Sequence, residues 1–165
     1  MNLKIVSGRL MAILILIGIA LPESRVDARP TALDPAIGTW ELNLSKSKYY
    51  PGRPPKSETR TIEPSGRGVK YRAQAIDARG NRQLILGTAN YDGKDYPVRG
   101  SAVAETISLK RVDTFTVTFT QKRAGKVVVS GRRVVSKDRR TMTVMAQGTN
   151  ATGQPFSDVL VFDKK

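Results

Sequence analysis

The sequence predicts an all-β protein, an antiparallel up-and-down barrel of about 8–10 strands. Three observations carry this. Turn-forming clusters recur about every ten residues from position 38 onward. The runs between them favour strand, several with apolar and polar residues alternating at period two. After the first segment, no stretch of ten residues places its apolar side chains at helical spacing.

The first segment, residues 1–28, is expected to be a signal peptide and not part of the fold. Lys4 and Arg9 precede an uncharged run of 12 residues from Leu10 to Leu21, which ends at Pro22. A membrane-spanning helix needs roughly 20 apolar residues. A short basic region, an apolar run and a small-residue pattern make an export signal. Val26-Asp27-Ala28 places the cut after Ala28, and Gly18-Ile19-Ala20 is a second candidate. An uncleaved N-terminal anchor is the alternative. No Cys follows the run, which excludes a lipid-anchored lipoprotein. The expectation is a secreted or periplasmic bacterial protein that does not span the membrane once cut.

Residues 29–37 read as a lead-in, and residues 38–165 as a single barrel domain. Strands are expected near 38–44, 57–63, 68–77, 82–91, 96–99, 105–112, 114–122, 126–136, 140–149 and 156–163. The breaks include Pro64-Ser65-Gly66-Arg67-Gly68, Ala78-Arg79-Gly80-Asn81, Asp92-Gly93-Lys94, Arg123-Ala124-Gly125-Lys126, Ser136-Lys137-Asp138 and Asn150-Ala151-Thr152-Gly153. Gly, Asn and Asp tolerate the positive φ that tight hairpins require.

The clearest strand starts at Thr114, with Phe115, Val117 and Phe119 on one face and threonines on the other. Ile107/Leu109 and Met142/Val144/Ala146 alternate more weakly. Residues 159–162 are apolar on both faces, as a buried closing strand would be. Ser45 to Lys56, with Pro51, Pro54 and Pro55, fits neither helix nor central strand. Short links favour a meander, and closing it removes aggregation-prone edges. A two-sheet sandwich would show the same periodicity.

Composition excludes much chemistry. The 165 residues include 28 Lys+Arg and 14 Asp+Glu, for a formal charge of +14, with no His and no Cys. Imidazole bases, Ser-His-Asp triads, thiol nucleophiles, zinc sites and disulfides are therefore unavailable. Asp92-Gly93-Lys94-Asp95 puts a Lys inside what would be a calcium loop, with no Glu at the required spacing. No spacing singles out two carboxylates for glycoside chemistry. The expectation is a non-enzyme with no catalytic residue, no metal and no cofactor.

Gly38-Thr39-Trp40-Glu41-Leu42 resembles the first strand of lipocalins and fatty-acid-binding proteins, where a Trp plugs one barrel end. Several further segments are similar to a large group of uncharacterised exported bacterial proteins. They are Asn43, Ser45-Lys46-Ser47-Lys48-Tyr49, Tyr91-Asp92-Gly93-Lys94-Asp95-Tyr96-Pro97-Val98, Gly131-Arg132-Arg133-Val134-Val135-Ser136-Lys137-Asp138 and the closing Val159 to Lys164. That resemblance spans nearly the whole chain after the signal. It implies a small lipocalin-like barrel and brings no known activity. Departures from true lipocalins are the missing Thr-Asp-Tyr turn and the lack of one obvious Arg over Trp40; Arg132, Arg133 and Lys164 are the candidates. Fatty-acid-binding proteins carry a helical lid where this chain has its Pro-rich segment.

Two functional classes follow. The first is a carrier of a small apolar or amphipathic ligand, with Trp40, Tyr71, Tyr91, Phe115, Val117 and Phe119 lining the interior. Each of these also reads as ordinary core, since a small barrel can be filled by its own side chains. The second is an envelope or surface module that binds anionic polymer through a basic rim of Arg123, Lys126, Arg132, Arg133, Arg139 and Arg140. The same charges also read as a solvated surface that guards edges. Ten aromatics in the chain are too few for a specific nucleic-acid reader. A monomer is expected.

Overall fold

A computed structural model describes residues 34–165. Ten strands follow in chain order: β1 (Gly38–Leu42), β2 (Ser57–Ser65), β3 (Gly68–Ile76), β4 (Arg82–Asn90), β5 (Asp92–Arg99), β6 (Thr106–Arg111), β7 (Thr116–Arg123), β8 (Lys126–Val135), β9 (Thr141–Thr149) and β10 (Pro155–Lys164). Each pairs antiparallel with its chain neighbour, and β1 closes the ring on β10 through Trp40↔Lys164 and Leu42↔Phe162. The hydrogen-bonded ring is continuous, so the fold is the up-and-down barrel and not the sandwich. The expected signal peptide lies outside the described residues.

Two strand starts differ from expectation by more than one residue, each for a local reason. The expected strand at Thr114 begins at Thr116. The Asp113 carboxylate accepts the Phe115 N–H at 2.8 Å, and the Val112 N–H reaches the Thr116 carbonyl at 2.9 Å, so residues 112–115 make the turn. At the fourth hairpin the reversal comes at Tyr91, ahead of the Asp-Gly-Lys cluster. Gly93, at φ 76°, instead sits where the β5 register slips between Asp92 and Asp95.

One end of the barrel, called the floor, holds the start of β1 and the end of β10. Trp40, Met142 and Phe162 are fully buried there. Trp40 Nε1 donates to the Ala36 carbonyl at 2.8 Å, and Lys164 Nζ lies 5.1 Å from its ring centroid. Of the three cations the sequence offered for that position, Lys164 takes it. Its ammonium is tied to the Ile37 carbonyl at 2.9 Å.

The other end is the mouth. The irregular segment after β1 runs beside β10, with Lys48 and Val159 exchanging backbone hydrogen bonds of 2.8 Å. The Ser157 N–H adds a third to the Tyr50 carbonyl at 2.6 Å. The Pro-rich stretch is thereby held against the barrel.

Candidate functional site

The interior is hollow. A cavity of about 560 Å³ runs from the mouth loops down toward Met142. Its walls are mostly apolar, with Ile62, Val69, Leu109, Val117, Val144 and Leu160 among them. The space exists because small residues stand at inward positions: Ala73 and Ala146 line it, and Gly87 and Gly131 do more. A Cβ on Gly87 would overlap the Tyr71 ring, and one on Gly131 would overlap the Phe119 ring. Both rings therefore take space at the wall that a side chain would otherwise fill.

Below the cavity lies a polar knot. Asp34, just before β1, receives the Arg111 guanidinium at 2.6 Å and the Tyr91 hydroxyl at 2.5 Å. The Tyr91 hydroxyl in turn accepts Arg133 Nη2 at 2.9 Å, and Arg111 stacks 4.0 Å from the Tyr91 ring centroid. Burial alone would raise the Asp34 pKa. Hydrogen bonds from Tyr91, the Ala36 N–H and Arg111 outweigh it and hold the carboxyl below its ordinary value. Burial pushes the Tyr91 phenol up, so it stays a neutral donor to Asp34.

Higher up, Arg60 pairs with Glu58 at 2.6 Å and lies 4.5 Å from the Phe162 ring centroid. Asp158 accepts the Tyr50 N–H at 3.1 Å near the mouth, and burial raises its pKa. Among the described residues, three buried polar atoms on cavity-lining residues lack a protein partner: Tyr49 Oη, Tyr71 Oη and Arg133 Nε. Burial is the leading reason that the Tyr49 and Tyr71 phenols are pushed up to about 12.

Of the six residues expected to line the interior, Tyr71, Val117 and Phe119 do. The other three lie elsewhere. Trp40 is the floor plug, Tyr91 belongs to the knot with Asp34, and Phe115 sits in the β6–β7 turn. The six basic residues do not form one rim. Arg123 and Lys126 flank a mouth-end turn, while Arg139 and Arg140 stand at a floor-end turn. Arg132 is exposed on the outer wall, whereas Arg133 lines the cavity. Neighbours in a strand face opposite ways, and successive hairpin turns of a meander alternate between its ends.

Arg60, Asp34 and the inward place of Arg111 escaped the sequence reading. A signal for the arginines was present, because Arg60 shares the inward parity of Ile62, and Arg111 that of Ile107 and Leu109. A charge on the apolar face of a strand marks a polar group inside a barrel.

No family model matches the chain, and no curated protein matches it. Among the described residues, no group of three or more acidic side chains is placed to hold a metal ion. Surface charge is uneven. The mouth end carries Arg53, Lys56, Arg79, Arg82, Arg99, Arg123 and Lys126 against Glu58, Asp77, Glu105 and Asp158, whereas acids interleave with the cations around the floor.

Proposed function

We propose that this protein is an exported carrier that holds one small apolar or amphipathic molecule inside its barrel. The single observation behind this is the apolar cavity of about 560 Å³, between a floor plugged by Trp40 and a mouth bordered by the Pro-rich segment. Ligand sites generally occupy ~300–1,000 Å³ and pair apolar walls with a few polar groups. Export rests on the signal peptide expected at residues 1–28, and the resemblance to exported bacterial barrels is consistent with it.

Native mass spectrometry of the protein purified from its host at low salt tests the proposal. A reproducible added mass of a few hundred daltons, lost on denaturation, is the expected result. A bare polypeptide mass, together with failure to take up any apolar probe, overturns it.

The cations at the mouth favour a second role, contact with an anionic envelope polymer. Such binding falls steeply as salt rises. Charge-neutralising Arg53, Lys56, Arg123 and Lys126 then weakens it more than the same change at Lys137, Arg139 and Arg140.

A further inference from the structure

We propose that the molecule in the barrel is an amphipathic anion, its oxyanion head seated against Arg133 and Tyr71 and its apolar tail extending toward the mouth. This rests on the carrier proposal above and names the class of ligand.

Charge around the knot does not balance. Arg111 and Arg133 both converge on it, yet Asp34 is its one carboxylate and is already engaged by Arg111. Arg133 donates one hydrogen bond, to the neutral Tyr91 hydroxyl. Its Nε–H is buried without a protein acceptor. Of the other arginines at the cavity, Arg60 is matched by Glu58, while Arg53 and Arg72 are exposed to solvent. One positive charge is therefore left over, on a side chain that lines the cavity.

A guanidinium only donates, so whatever occupies the cavity beside it must accept. A buried donor with no acceptor is costly, and an ionised acceptor is the strongest partner for it. Tyr71 supplies a second unpartnered hydroxyl on the lining. Arg133 lies near the floor end of β8 and Tyr71 near the floor end of β3, strands on opposite sides of the ring.

The upper cavity favours the reverse of a head group. Glu58 and Asp158 line it there; Arg60 matches Glu58, and the Asp158 carboxylate repels an anion. Ile85, Val129, Ala146 and Phe156, toward the mouth ends of their strands, give the wall apolar contact for a tail. The exposed Arg53 keeps its water, so the buried Nε–H of Arg133 sets the orientation, head down.

Isothermal titration of the purified protein with dodecanoate, dodecyl phosphate and dodecanol separates the terms, because the three share one tail. At least one of the two anions is expected to bind tenfold or more tighter than dodecanol, and the tighter one names the head as carboxylate or phosphate. In Arg133→Met that preference is expected to vanish. In Tyr71→Phe, which keeps the ring, it is expected to fall several-fold.

Equal or tighter binding of dodecanol overturns the head-group inference and leaves the carrier proposal standing. Failure of all three probes removes both. Should Arg133→Met not fold, the wild-type comparison and Tyr71→Phe decide. A preference that survives in Tyr71→Phe at full strength removes Tyr71 from the head site.

Discussion

The ring of Tyr71 occupies the space that a side chain on Gly87 would need, on the strand paired directly with it. Phe119 stands in the same relation to Gly131 across the β7–β8 pair. Two large rings are thus accommodated at the wall, and the volume they vacate is part of the cavity. Ligand capacity in this barrel therefore depends on two positions without side chains.

Gly87→Ala tests this most directly, because the nearest atoms its Cβ would meet are the Tyr71 hydroxyl and ring. The ring is expected to swing inward, at a cost of about 1–3 kcal/mol for overpacking. Urea denaturation should show that loss, and an apolar probe should bind more weakly. Adding Tyr71→Val should recover part of the stability. Unchanged stability and binding in Gly87→Ala would mean that the ring does not hold the cavity open.

Trp40 is the plug, fully buried and hydrogen-bonded to the Ala36 carbonyl. Trp40→Ala should cost roughly 3–5 kcal/mol, the usual range for deleting a large buried aromatic. Trp40→Phe should cost less, having lost the Nε1 donor but kept most of the packing. Lys164→Met should cost about 0.5–1 kcal/mol through the exposed cation–π contact. Chemical denaturation followed by circular dichroism reads all three without relying on the lone indole.

Stability should fall at both ends of the pH scale. The Asp34 carboxyl sits below its ordinary value of 3.8 when folded, so its contribution is present above that value and is lost as pH falls through the folded one. Denaturation midpoints in wild type should drop more steeply below about pH 4 than in Asp34→Asn.

For Tyr49 and Tyr71 the sign reverses with pH. Each phenol is pushed from 10.0 up to about 12, so the folded chain holds the proton more tightly and stability falls as pH climbs between those values. Phenolate absorbance should show a component titrating near 12, reduced in Tyr71→Phe. A single transition for all tyrosines near the ordinary value would contradict the burial of both groups.

The β7–β8 turn places Ala124 at φ 47° and Gly125 at φ 73°, the positive pair that a two-residue hairpin prefers. Glycine meets this freely, but alanine does so at a steric cost. Ala124→Asn should therefore stabilise by about 0.5–1 kcal/mol, because Asn tolerates this region better. Calorimetry should show a Tm a few degrees higher. No gain would mean that alanine holds this backbone conformation at no greater cost than asparagine.

The sequence by itself determined the all-β class, a count of about 8–10 strands and the place of Trp40 at the start of the first one. All three rest on local information: turn residues that accept positive φ, alternation at period two, and one aromatic at the start of a strand. It also removed His- and Cys-dependent chemistry outright.

Local pattern did not reveal what stands across the barrel from what. Phe115 shares its parity with Val117 and Phe119, yet the Asp113 turn takes it out of the strand. Arg133 read as surface charge beside Arg132, yet strand parity turns it inward to Tyr91. Asp34, Arg111 and Arg133 meet only because the ring closes and carries the lead-in under its floor. Whether the interior was filled or hollow depended on rings resting over glycines of neighbouring strands. Such a pairing of side chain with empty space is set by register, and register is fixed only when the whole sheet has folded.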